Sequence, residues 1–122
     1  MKICVCGSRV IKRYSVVEQA LTKFFAEHPE LEMTELISGA ARGVDTLAEN
    51  WAIQRGIPVQ RFPADWDKWG MSAGFRRNVE MVNIADVIIA IMPEGMDSKG
   101  TSHTIRYSKE CAKPCFILRV IP

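Results

Sequence analysis

Five short runs rich in apolar and β-branched residues punctuate the chain, at Ile3–Cys6, Met33–Ile37, Val59–Phe62, Val87–Met92 and Cys115–Ile121. Runs of this length with little polar alternation fit strands that are covered on both faces. Between them the apolar positions switch to helical spacing, clearest at Val17, Ala20, Leu21, Phe24, Phe25 and at Val44, Leu47, Ala48, Trp51, Ala52, which follow i, i+3, i+4, i+7, i+8. Weaker helical patterns run from about Ala73 to Ile84 and from about Thr101 to Ala112. The order βαβαβαβαβ predicts an α/β fold, a three-layer sandwich with a mainly parallel five-stranded sheet. Gly56 before Pro58, and Lys113-Pro114 before the last strand, mark helix ends where the pattern needs them. No repeat, linker or low-complexity tract interrupts it, so residues 1–122 read as a single domain.

In such a sheet, ligands bind beyond the carboxyl ends of the strands. Gly7-Ser8-Arg9 follows the first strand, offering close backbone approach, a hydroxyl and a planar fork for phosphate or carboxylate. Ser38-Gly39-Ala40-Ala41-Arg42-Gly43-Val44-Asp45 follows the second. Its small residues clear space above the unpaired amides of a helix start, and Arg42 adds a full charge. A tight turn with an aspartate favoured by the helix dipole is the plainer explanation of the same residues. The third connection, from Pro63 to Asn78, is long and carries Trp66, Trp69, Arg76 and Arg77. At least one of the two tryptophans is expected in the core, since a tryptophan usually buries most of its ring. One of the adjacent arginines must face solvent, and Glu80 is spaced to pair with Arg76 or Arg77 on a helix. The fourth loop brings Ser98, Lys99, Gly100 and Thr101 to another helix start. His103, a lone histidine nearby, reads as a surface or capping residue.

Composition narrows the reading only a little. The 122 residues are 48% hydrophobic and 25% charged, with 16 basic against 14 acidic side chains and a formal charge of +2. That balance has no basic stripe announcing nucleic acid, and it permits an anionic ligand without requiring one. No stretch has the length of a membrane span or of a secretory h-region, so a cytoplasmic location is expected. Cys4, Cys6, Cys111 and Cys115 form C-x-C and C-x-x-x-C spacings, which are not the paired knuckles of a zinc site. They are expected to be structural, and neither a metal nor a cofactor is expected. Neither the Walker spacing nor the G-x-G-x-x-G fingerprint is present, which argues against an NTPase and a simple dehydrogenase.

Together, "GSR", "SGAARGVDTLAENWA", "FPADWDKWGMSAGFRRNVEM" and "DSKGT" closely resemble the SLOG superfamily, in its small YspA-like, cpYpsA-related branch, across nearly the whole chain. The resemblance implies a Rossmann-like sheet that binds nucleotides or nucleotide-derived ligands, with relatives among the lonely-guy phosphoribohydrolases and the DNA-processing protein DprA. Carried over, it implies a ligand site from Gly7, Ser8 and Arg9, from Gly39, Arg42, Gly43 and Asp45, from Arg77, Asn78 and Glu80, and from Ser98, Gly100 and Thr101 as the phosphate end. It also implies a homodimer or higher homo-oligomer. The phosphoribohydrolases carry a glutamate shortly after their glycine-threonine element, whereas Ser102, His103 and Thr104 stand here.

The expected function is therefore a sensor or sequestering module for a nucleotide-derived small molecule. The alternative is a hydrolase of the N-glycosidic bond, with Arg77 orienting a ribosyl phosphate and Glu80 as catalytic carboxylate, or Asp45 supplying one from elsewhere in the pocket. A weaker alternative is single-stranded nucleic-acid binding with Trp66 and Trp69 as stacking platforms; nucleic acid is not the expected partner, and neither is a membrane.

Overall fold

The computed structural model describes all 122 residues. Five strands, β1 (Lys2–Gly7), β2 (Glu35–Ser38), β3 (Val59–Arg61), β4 (Val87–Pro93) and β5 (Cys115–Val120), form one sheet in the order β3-β2-β1-β4-β5. Every neighbouring pair is parallel. Four long helices connect them: α1 (Tyr14–Glu27), α2 (Val44–Gln54), α4 (Ala73–Ile84) and α5 (Lys99–Glu110), with the four-residue α3 (Trp66–Trp69) leading through a 3₁₀ turn into α4. The α/β sandwich read from the sequence is thus present, and its sheet is wholly rather than mainly parallel.

Side chains of the central strands alternate between two apolar layers. Ile3 and Val5 of β1 and Val87, Ile89 and Ile91 of β4 pack with Val17, Leu21 and Phe24 of α1 and Val44, Ala48 and Trp51 of α2. Cys4 and Cys6, with Ile88 and Ala90, join Met81, Val82 and Ala85 at α4 on the other face, where Ile105 and Tyr107 of α5 close over them. Cysteine serves there as a small buried apolar side chain.

Predicted and observed boundaries differ by a residue or two, as at β2, which starts at Glu35 rather than Met33, and at α5, which spans Lys99–Glu110 rather than Thr101–Ala112. Met33 is buried nonetheless, so its hydrophobicity reports packing below the strand rather than ladder pairing. At least one of Trp66 and Trp69 is expected in the core, yet both are exposed, by 53% and 41%. The reason is local: α3 is one turn long, and its Trp66 rests on Gly74 at the start of α4, outside the two apolar layers. Trp69 instead carries the Arg76 guanidinium 3.8 Å from its ring centre and the Lys68 ammonium 4.9 Å away. No helix is long and apolar enough to cross a membrane.

The chain runs outward from β1 to β2 and β3, then crosses back to β4 on β1's other side. Strand order therefore reverses between β1 and β4, and their carboxyl ends open the crevice where such sheets hold ligands.

Candidate functional site

A cavity of about 370 Å³ lies at this reversal, lined by residues following β1, β2 and β4 and by the face of α4 carrying Arg77, Asn78 and Met81. Its walls are fixed by the backbone. The Ser8 N–H donates to the Ile91 carbonyl of β4 at 3.2 Å, and the Ser8 carbonyl accepts from the Val44 N–H at the start of α2 at 3.3 Å. Ser8 Oγ accepts from the Val10 N–H at 3.2 Å, turning the chain so that Arg9 lines the opening. Gly7 and Gly43 make this crossing possible. A Cβ at Gly7 would stand 2.7 Å from a Val44 methyl, and one at Gly43 would stand 2.6 Å from Arg9 Cα. Gly43 also holds a φ of +76°, which L side chains rarely adopt.

The second loop folds around its own side chains. Ala40, at a φ of +57°, donates its N–H to Ser38 Oγ at 3.1 Å. Ser38 Oγ in turn donates to Glu49 Oε2 at 2.6 Å, and Arg61 Nε of β3 lies 3.2 Å from Glu49 Oε1. The Ala41 N–H donates to Asp45 Oδ2 at 3.2 Å. Asp45, only 5% exposed, lines the cavity, and its other oxygen has no protein donor. Burial pushes its carboxyl up to about 6, with Glu49 adding to the rise while the Ala41 N–H, Arg77 and Arg9 hold it back.

Arg77 faces Asp45 across Gly39. A Cβ on Gly39 would stand 2.8 Å from Asp45 Oδ2 and 2.9 Å from Arg77 Nη1, so only glycine lets these groups share the space. Arg77 Nη1 donates to the Gly39 carbonyl, and Nε donates to Asn78 Oδ1 at 2.9 Å. Burial lowers the Arg77 pKa, as does Arg9, against the opposing pull of Asp45. A guanidinium starts so high that it stays charged at neutral pH. Asn78, 4% exposed, donates Nδ2 to the Gly100 carbonyl at 3.2 Å and so ties α4 to the first turn of α5.

At that turn Ser98 is the N-cap. Its Oγ accepts from the Thr101 N–H at 3.4 Å and donates to Thr101 Oγ1 at 2.8 Å. The first-turn amides of α5 have no acceptor within the helix, and a Cβ at Gly100 would meet nothing within 4 Å, leaving room for a ligand there. The preceding loop is pinned by Arg119 of β5, which pairs with Asp97 at 2.8 Å and donates to the Pro93 and Met96 carbonyls. The cavity thus combines Arg9, Arg77 and the start of α5 with two carboxylates, the buried Asp45 at the start of α2 and the exposed Asp97.

Of the residues picked from the sequence, Gly7, Ser8, Arg9, Asp45, Arg77, Asn78, Ser98, Gly100 and Thr101 line this cavity. Gly39 and Gly43 shape it from behind. Arg42 and Glu80 do not line it, and both are exposed. Glu80 pairs with neither arginine: Arg77 is turned inward to Gly39, and Arg76 lies on Trp69 with Nε donating to Ser72 Oγ at 3.2 Å. The sequence reading passed over Val10 and Met96, exposed apolar side chains at the opening. Their only signal is adjacency to the Gly7 and Ser98 loops.

Residues 1–69, which supply β1 through β3 and the first two loops of the site, match the YspA, cpYpsA-related SLOG family. The chain belongs to that family. It is also 36% identical over 119 residues to "Gene 61 protein" of Mycobacterium phage D29, an alignment covering 93% of this chain and 92% of the phage protein. The family match holds Gly7, Ser8, Arg9, Gly39, Gly43 and Asp45, while Arg77, Asn78 and the α5 turn lie beyond residue 69. In this SLOG protein both parts close one cavity.

Proposed function

We propose that the protein binds a phosphorylated, nucleotide-derived small molecule in the cavity between the ends of β1 and β4. The observation that carries this reading is the convergence of Arg9, Arg77 and the start of α5 on one hollow. Its volume, about 370 Å³, falls within the range of about 300–1,000 Å³ common for small-molecule sites. The phosphate lies against the α5 start and Arg9, where unpaired amides and a guanidinium supply donors. The sugar lies toward Asp45, whose free oxygen accepts from a hydroxyl. The larger groove of about 670 Å³ along α1 and β5 flanks the sheet instead of crossing the ends of β1 and β4. Mass spectrometry of the small molecule that co-purifies with the protein tests the reading: a phosphorylated nucleoside derivative supports it, and an unphosphorylated apolar compound refutes it.

Asp45 favours a second reading, hydrolysis of the N-glycosidic bond of such a ligand. A buried carboxyl titrating near 6 beside a guanidinium has the character of a group that stabilises an oxocarbenium-like centre or activates water. This role falls to Asp45 and not to Glu80, whose side chain is exposed away from the cavity. Incubation with nucleoside monophosphates and ADP-ribose then releases free base from at least one of them. Asp45→Asn abolishes release and Glu80→Gln leaves it intact; the reverse pattern excludes the assignment.

A further inference from the structure

His103 lies behind the cavity wall, on α5 one turn from its start. Its Nδ1 is 3.3 Å from Asn78 Nδ2, and its ring lies tilted against Phe75 with centroids 4.4 Å apart and stacks on Tyr107 at 6.5 Å. The orientation of the Asn78 amide is decided by its other partners. Oδ1 must face Arg77 Nε, a donor, and Nδ2 must face the Gly100 carbonyl, an acceptor. A flipped amide would set donor against donor and acceptor against acceptor. With Nδ2 so placed, both of its hydrogens are used only if His103 Nδ1 carries none.

We propose that His103 is a positioning residue of the ligand site: a neutral imidazole whose Nδ1 accepts from Asn78 and, through that amide, holds the Arg77 guanidinium toward the cavity. Protonation would put an N–H at Nδ1 against Asn78 Nδ2, breaking that contact and leaving the amide held by the Gly100 carbonyl and Arg77 alone. The surroundings favour the neutral form. Burial lowers the His103 pKa and Arg106 on α5 lowers it further, with Glu110 opposing. Arg77, on α4, is the charged group on the far side of Asn78. The bond joins residues 25 apart in the chain, so no local motif announces it. The inference rests on the anion-binding reading of the cavity and adds a pH-dependent control of it.

The experiment compares the wild type with His103→Asn, whose side-chain oxygen accepts without titrating, and His103→Leu, which cannot accept. The first readout needs no ligand: the Arg77 Nε–H resonance, followed by ¹⁵N NMR from pH 8 to pH 5. In the wild type it moves with the midpoint of the His103 ring; in His103→Asn that step vanishes, while any step from Asp45 persists. The second readout is affinity for inorganic sulfate, whose charge is constant across the range. Wild type and His103→Asn bind alike at pH 8, and His103→Leu binds about threefold to tenfold more weakly, the size expected for one lost hydrogen bond. As the pH falls through the midpoint of the His103 ring, the wild type drops below His103→Asn toward the same factor. An Arg77 resonance indifferent to His103 overturns the proposal, as does an identical pH profile in all three proteins. If the wild type binds no sulfate at pH 8, the anion reading fails, and the resonance alone decides whether His103 holds Arg77.

Discussion

Arg42, before α2, and Arg77, on α4, both read from the sequence as site residues, yet the fold separates their tasks. Arg77 is held inside the cavity by Gly39 and Asn78, whereas Arg42 is exposed. Arg77→Ala therefore lowers affinity for a nucleoside phosphate by about tenfold to a hundredfold, the equivalent of roughly 1.5 to 3 kcal/mol for a charge-assisted hydrogen bond. Arg42→Ala changes it by less than about threefold, because an exposed charge acts mainly at long range and is screened. Calorimetric titration of both variants checks the contrast. Asp45 makes a different prediction. Its carboxyl is raised to about 6 in the fold, above the ordinary aspartate value near 4. The folded state therefore holds this proton more tightly than the unfolded state. Stability from this group is fully present below about pH 4, declines as pH rises to about 6, and is constant above. Asp45→Asn should then stabilise the protein at pH 7.5 by up to about 3 kcal/mol and leave it nearly unchanged at pH 4. Urea denaturation at the two pH values measures this, and equal effects at both would contradict the burial of an ionised carboxylate.

The long elements were legible because hydrophobic period decides them. Continuous apolar runs at β1 and β4 have layers on both sides to fill, and i, i+3, i+4 spacing at Val44–Ala52 has one layer to face. The turn of α3 was not legible, since four residues carry no period and its tryptophans lie outside the two apolar layers. For the same reason residue types near a site are easier to read than their directions. On α4, Arg77, Asn78 and Met81 face the cavity; Glu80 lies roughly 100° around the helix from the middle of that arc, beyond reach. Arg42 precedes α2, where no period fixes its direction. Two backbone positions connect loop and helix, and they respond oppositely to substitution. Gly43→Ala adds a Cβ against the Ser8–Arg9 backbone at a φ of +76° and should cost about 2 kcal/mol or more. Ala40→Gly relieves an alanine at a φ of +57° and should contribute up to about 1 kcal/mol of stability. Urea midpoints that move in one direction for both would refute this account of the loop.

At the scale of the molecule, a formal charge of only +2 supplies little general attraction for anions, so any anion selectivity must come from how topology gathers charge. The reversal of strand order between β1 and β4 does that, placing Arg9 and Arg77, 68 residues apart in the chain, on one hollow with the start of α5. The groove along α1 and β5 is roomier and supplies the natural competing location. Mapping backbone amide shifts during titration with adenosine monophosphate and ADP-ribose distinguishes the two directly. The largest changes should fall at Gly7–Arg9, Asp45 and Gly100–Thr101 with either probe. Changes confined to α1 and β5, or none with any phosphorylated nucleoside, would show that the crevice at the strand ends is not the binding site.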